Sequence, residues 1–504
     1  MARGRGKVLL AAAALAVAGA TVVAGNDDGP AQDQLRYRGR RAKNVIFFVG
    51  DGMGVSTVTA TRVYSVGVAG ELVMDQFPYT ALSRTYGADA ITPDSAPTMT
   101  AMMSGVNTNA GVLGLDETTE PGDFNHDGDG KAPWTLLEEA KSQGMRVGVV
   151  STARITHATP AATYAHINNR DNENAIALQA LPGAATYNSR LGKGIDILMG
   201  GGRQFFVPSG VNDEEGGGGS RADLRDLRQE FQTAGYTYVW NKAGFDQLKQ
   251  LPVLGLFERS HMEYEFDRLS DQGGEPSLTD MTVKSIALLE QGSRRGAKRD
   301  GYFLMVEAGR IDHAHHEGNA FRALNDAQEL DAAIGAAARM VDLRETLIIV
   351  SADHSHVFNI AGYPLRPKSE LPYRITSNDP GFENPAGNGI LDVVYDLTAG
   401  GVVAAAGDRN GVPYTVLGYL NGPGYRAGVR TDPGSDTFPG RLGQVPTGPA
   451  HQAYFQESAI PMLSETHSGE EVAIYAVGPG AELVHGTVKN THIYHVMKAA
   501  LRLF

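Results

Sequence analysis

From residue 44 onward, short aliphatic, β-branched and aromatic runs alternate with longer stretches whose apolar positions recur every three or four residues. The runs at 45–49 (VIFFV), 146–150 (RVGVV), 195–199 (IDILM), 302–306 (YFLMV), 347–350 (LIIV) and 472–476 (VAIYA) predict buried strands. Helices are predicted at 134–142 and at 324–341, where Leu324, Ala327, Leu330, Ile334, Ala338 and Val341 share one face. Apolar strands separated by helices predict an α/β fold, with a mainly parallel central sheet flanked by helices. Two stretches break the rhythm. Residues 213–220 (DEEGGGGS) read as a flexible loop, and 358–463 is rich in Gly, Pro, Asn and Tyr with only scattered short strands. The second stretch reads as an insertion on the main domain rather than a linker. No internal repeat is visible, and residues 25–504 read as one domain.

The amino terminus reads differently. Arg3, Arg5 and Lys7 precede an uninterrupted run of Val, Leu, Ala, Gly and Thr at 8–24. Small residues at Ala18, Ala20 and Ala24 fit a cleavage site, so residues 1–24 are expected to be a signal peptide. A retained anchor is the alternative, although a membrane span needs about 20 residues. Either way the protein is expected to be exported: periplasmic, extracellular or at the cell surface.

Composition narrows the chemistry. With 42% hydrophobic and 20% charged residues, the 504-residue chain has ample material for a core. The net charge of −13 argues against nucleic acid as the main partner. Cysteine is absent, which excludes disulfides, cysteine-ligated zinc and a cysteine nucleophile.

Polar residues cluster where strands end. The run at 45–49 leads to Asp51, that at 146–150 to Ser151, Thr152, His157 and Thr159, and that at 302–306 to Glu307. The run at 347–350 leads to Asp353, His354 and His356. Ligands of open parallel sheets bind outside the carboxyl ends of the strands. Acids converging there would repel one another unless a cation neutralised them. In a helix, Asp312 and His316 stand at i and i+4, side by side, a workable pair for zinc. Five of the 14 histidines fall in the strings 312–316 and 353–356. Oxygen and nitrogen donors without sulfur suit Zn²⁺ with Mg²⁺ beside it. Ser95, before the helix-like run APTMTA, is either a helix cap or a nucleophile stabilised by a helix N-terminus and a metal. Arg170 could grip two phosphate oxygens, or be a surface ion-pair residue.

Together these strings resemble the alkaline phosphatases from about residue 43 to 504. They are VGDGMG (49–54), PDSAPT (93–98), THATPAA (156–162), VEAGRIDHAHHEG (306–318), ADHSHVF (352–358), YTVLGYLNGPGY (414–425) and ETHSGEEVA (465–473). The wording is closer to the animal-type branch than to the best-known bacterial periplasmic type, with His157 and His313 where animal-type enzymes also carry His. The resemblance implies that Asp312, His316 and His467 hold one zinc, and Asp51, Asp353 and His354 a second, which Ser95 approaches. It implies a magnesium shared by Asp51, Thr159 and Glu307, and a substrate phosphate held by Arg170 with His157 beside it. His313 and His356 are expected to support these groups. A peripheral calcium is implied at Glu215, Phe257, Glu258 and Glu275, the last standing where the family usually has Asp. The implied reaction hydrolyses small-molecule phosphate monoesters at alkaline pH through a phosphoserine. The 358–463 insertion is similar to the family's crown, which implies a homodimer, and no stable membrane partner is expected. A sulfatase would need Arg where Met99 stands. A phosphodiesterase of the same superfamily, or an inactive exported phosphate- or metal-binding protein, is the alternative.

Overall fold

The computed structural model describes residues 39–122, 130–291, 299–362, 389–397, 403–407, 412–425 and 452–503. The leader run at 8–24 lies outside them. Ten strands form one sheet: β1 (Asn44–Gly50), β2 (Tyr79–Arg84), β3 (Arg146–Arg154), β4 (Ile197–Gly201), β5 (Thr237–Val239), β6 (Val253–Leu256), β7 (Tyr302–Ala308), β8 (Thr346–Ala352), β9 (Val472–Val477) and β10 (Thr487–Lys489). Their spatial order is β10-β2-β9-β8-β1-β7-β3-β4-β6-β5. Every pairing is parallel except those of β9, which runs antiparallel to both β8 and β2.

β1 is buried at all its positions, as an unbroken apolar run must be when helices cover both faces of a sheet. Alternate residues point to opposite faces. Val45, Phe47 and Val49 join a core built with α1 (Ser95–Ser104), α2 (Leu136–Ser142) and α3 (Thr491–Leu501). Ile46 and Phe48 join the opposite core, with Met281 and Ile286 of the helix Leu278–Glu290 and Leu330 and Ile334 of the helix Ala320–Met340.

All six predicted strands are present. The run predicted at 195–199 begins two residues later as β4; at Asp196 the carboxylate accepts the Val147 N–H and the Lys141 ammonium. β9 departs from the parallel expectation. β2, β5, β6 and β10 carry no strong sequence signal: β2 alternates buried with exposed residues over six positions of mixed Thr, Ser and Arg. The helix expected from 134 starts at Leu136, since Thr135 forms a capping box with Glu138. The helix expected from 324 starts at Ala320, capped by the Asn319 side chain.

Within the insertion, Phe358–Ile360, Leu417–Gly422 and Glu457–Pro461 form a three-stranded sheet. Phe358, Leu391, Leu417 and Tyr419 pack with Ala60 and Leu324 as a separate apolar cluster beside the main cores. The acidic, glycine-rich loop at 213–220 is tied down rather than free. Asp213 accepts the Glu215 and Gly217 N–H groups and pairs with Arg203, which is fully buried.

Candidate metal centre and nucleophile

The carboxyl ends of β1, β7, β8 and β3 lie side by side, so the polar residues that follow them meet. Asp51 leaves β1 through a tight turn in which Gly52 has φ +68° and donates its N–H to Asp353 Oδ1 at 3.0 Å. A Cβ on Gly52 would stand 2.3 Å from His356 Nε2, so glycine lets the turn after β1 pass the His356 ring this closely. Asp353 Oδ1 also accepts the His354 N–H, again at 3.0 Å.

Ser95 is the first residue of α1, and the cap is Asp94, whose side chain accepts the Ala96 N–H at 2.8 Å. The Ser95 hydroxyl is therefore not spent on capping. It lies at the positive end of the helix, 3.4 Å from Asp51 Oδ1 and 3.2 Å from His354 Nε2. The Nε2 of His354 is itself 3.4 Å from Asp51 Oδ1 and 3.3 Å from Asp353 Oδ2. Four atoms of Asp51, Ser95, Asp353 and His354 thus converge on one point.

A second convergence lies beside it. His316 Nε2 and His467 Nε2 are each 3.4 Å from Asp312 Oδ1 and 3.1 Å from each other. Their remaining nitrogens are committed: His316 Nδ1 donates to the Glu465 carbonyl at 2.7 Å, and His467 Nδ1 to the Pro93 carbonyl at 2.8 Å. That fixes the tautomer which turns both Nε2 lone pairs toward Asp312, the arrangement of imidazoles that ligate a metal. His356 bridges Asp312 Oδ1 (2.9 Å) and Glu465 Oε2 (2.5 Å), and against the cost of burial these acids push it up to about 9.

A third set is deeper. Glu307 Oε2 is hydrogen-bonded to the Ser151 hydroxyl. The facing atoms, Glu307 Oε1, Thr159 Oγ1 and Asp51 Oδ2, are buried without a hydrogen-bond partner, and so is Asp353 Oδ2. Burial pushes Glu307 up to about 8, with the charge of Asp353 adding to it, and pushes Asp51 well above the carboxylate range, with Asp353, Asp312 and Glu307 adding. Buried oxygens left unpaired among carboxylates that raise one another are what a site for divalent cations presents. The donors fit the metals expected of them: mixed N and O sets for zinc, an all-oxygen set for magnesium.

Arg170 reaches the same region from a loop. Its Nη1 is 2.9 Å from Asp94 Oδ1, and its Nη2 3.0 Å from His157 Nε2. His313 stands beside His157, with ring centroids 5.6 Å apart. The four residues read as a calcium set lie elsewhere, Phe257 and Glu275 of them buried. There Glu215 and Glu258 gather with Asp271, each offering an oxygen within 4.8 Å of the others. Glu275 is buried with Oε2 unpaired, and Phe257 is in the core. Sequence reasoning missed Asp271, Glu465 and His261. Glu465 lay inside the string ETHSGEEVA, but neither its spacing nor its type marked it out.

An α/β sheet with a helix-borne serine among three sets of buried N and O donors defines a metallohydrolase. The alkaline phosphatase family model matches residues 42–503. The tissue-nonspecific alkaline phosphatase of Gallus gallus is 38% identical over 486 residues, covering 91% of this chain and 84% of that protein. The Gadus morhua alkaline phosphatase is 36% identical over 487 residues, covering 91% and 92%. Among solved structures, Thermus thermophilus alkaline phosphatase superposes with a TM-score of 0.62 at 25% identity, covering 96% of each chain. The enzyme of the Antarctic bacterium TAB5 gives 0.58 at 21% identity, covering 92% and 98%. This chain belongs to the alkaline phosphatase family, and its expected likeness to animal-type members is borne out.

Proposed function

We propose that this protein hydrolyses phosphate monoesters by way of a phosphoseryl intermediate on Ser95, in a single domain that carries the 358–463 crown-like insertion. The observation that carries the reading is the free Ser95 hydroxyl at the start of α1, aimed at Asp51 and His354. In this reading Asp312, His316 and His467 hold one zinc, and Asp51, Asp353 and His354 the other. Asp51, Thr159 and Glu307 hold magnesium. When bound, these metals supply Lewis acidity and neutralise charge on the attacking and leaving oxygens.

The chain's own part is positioning. Ser95 Oγ loses its proton to solvent and forms the bond to phosphorus, while the bond to the leaving oxygen breaks on the opposite side and the alkoxide takes up a proton from water. The place of Ser95 in the first turn of α1 lowers the cost of negative charge on its Oγ. Arg170 holds the remaining phosphate oxygens through a planar pair of donors, with Asp94 fixing the plane from behind. Water then cleaves the phosphoserine and regenerates the hydroxyl. The glycine-tight turn at Gly52 keeps the two ends of this machinery in register.

Export, with cleavage after the leader, and a homodimer through the crown complete the proposal. No helix among the described residues is long and apolar enough to cross a membrane. The test begins with protein stripped by chelator. Hydrolysis of p-nitrophenyl phosphate at alkaline pH should return with Zn²⁺, rise further with Mg²⁺, and fall by at least about 10⁴-fold in Ser95→Ala. Full metal uptake without monoester turnover would reject the reading, and turnover of a diester in its place would favour a phosphodiesterase.

A further inference from the structure

His157, His261 and His313 each bring a ring nitrogen within 4.8 Å of the others. The ring centroids of His261 and His313 are 4.0 Å apart, and those of His157 and His261 5.3 Å. The spacing suits a metal, but the surroundings do not. An imidazole that ligates a metal normally donates its other N–H to a carboxylate or carbonyl, as His316 and His467 do. In this trio the contacts are guanidinium groups. Arg170 Nη2 meets His157 Nε2 at 3.0 Å, Arg310 Nη1 meets His313 Nδ1 at 3.1 Å, and Arg154 Nη1 meets His261 Nε2.

A guanidinium has only donors, so the facing ring nitrogens must accept, and in His157 and His313 the proton sits on the other nitrogen. His261 faces donors at both nitrogens, the second being the Arg154 backbone N–H 3.2 Å from Nδ1, and its neutral ring can accept from only one of them. The trio therefore has few lone pairs left for a cation, and three guanidinium charges to repel one. It suits an anion. Two of those charges are already paired: Arg154 with Glu173 and Arg170 with Asp94. Arg310 has no ion-pair partner among the described residues. It lies over the Tyr264 ring, 3.7 Å from the centroid, with Nε buried and unbonded. Asp326 feels the charge of Arg310 but forms no ion pair with it among the described residues. Arg170, His157, His261, His313 and Arg310 all keep part of their surface open to solvent.

We propose that this wall, running from Arg170 through the three imidazoles to Arg310, binds a second phosphate on the substrate, so that bisphosphorylated compounds are preferred over simple monoesters. The inference rests on the assignment of Arg170 to the scissile phosphate. The test is calorimetric titration of zinc- and magnesium-loaded Ser95→Ala protein with n-propyl phosphate and with propane-1,3-diyl bisphosphate. Two equivalent phosphates give the bisphosphate a statistical advantage of about two. The expected preference is about tenfold or more, falling to about two in the Arg310→Met background and largely kept by Arg310→Lys. A preference of two or less in the parent, or one that survives Arg310→Met, overturns the proposal. Turnover of n-propyl phosphate by the unaltered enzyme reports separately on the phosphomonoesterase reading, since calorimetry needs no catalysis.

Discussion

Asp94 concentrates several functions in one carboxylate. Its Oδ1 caps α1 through the Ala96 N–H and also anchors Arg170, while Oδ2 accepts the Gly111 N–H at 2.8 Å. Asparagine can keep an Oδ1 acceptor for the cap and for Arg170, but it removes the charge from that pair and sets an NH2 donor against the Gly111 N–H. Asp94→Asn should lower kcat/KM for p-nitrophenyl phosphate about tenfold, and Arg170→Ala about 10- to 100-fold, the range for hydrogen bonds to a charged group. If Asp94 acts through Arg170, the double variant should be little worse than Arg170→Ala alone. Fully additive losses in a four-variant cycle would refute that link. At this scale the sequence was legible where chemistry follows a buried strand, as at Asp51, Glu307 and Asp353. It left Ser95 open between cap and nucleophile, and the structure gives the cap to its neighbour. Glu465 and His261 were illegible because their partners His356 and Arg154 are 109 and 107 residues away along the chain.

Between elements, the pair Lys141–Asp196 ties α2 to the start of β4 at 2.6 Å, with both side chains almost fully buried. Removing one member of such a pair strands the other's charge and costs about 3–5 kcal/mol. Lys141→Met should therefore lower the midpoint of denaturant unfolding substantially, and Lys141→Met with Asp196→Leu should recover part of the loss. A Lys141→Met midpoint equal to that of the parent would show the pair to be dispensable. Strands buried on both faces announce themselves by continuous apolar runs, as β1, β7 and β8 do. β5 and β2 do not, since three residues, or a half-polar alternation, look the same in a loop. Helix starts were readable only to within a few residues because capping by Thr135 and Asn319 decides them.

For the molecule as a whole, the acidic group at Glu215, Glu258, Asp271 and Glu275 links pH to stability. Burial pushes Glu258 up to about 7, with Glu215 and Asp271 adding, and Glu275 up to about 9, with Glu258 adding. A carboxyl raised on folding binds more protons in the folded than in the unfolded state, so stability falls as pH rises. The penalty is absent below the ordinary value of 4.5 and grows as pH passes through about 7 and about 9. In chelator, Tm should fall from pH 5 to pH 9; Ca²⁺ should restore it at pH 9 and do little at pH 5. Glu275→Gln should flatten the slope. A calcium-independent Tm at pH 9 would dismiss the cation site. The sheet's class was visible in the alternation of strands and helices, but its order was not, because apolar runs do not record which strand lies next to which. The antiparallel β9 is the clearest case, and it has a consequence in time. It is wedged between β8 and β2 near the carboxyl terminus, and His467 sits just ahead of it. A chain emerging from the ribosome therefore has the serine, both central strands and most metal donors long before it can close them into a site. In the proposed assignment the first zinc lacks its third ligand until His467 is made, so that site is completed only when synthesis is almost finished.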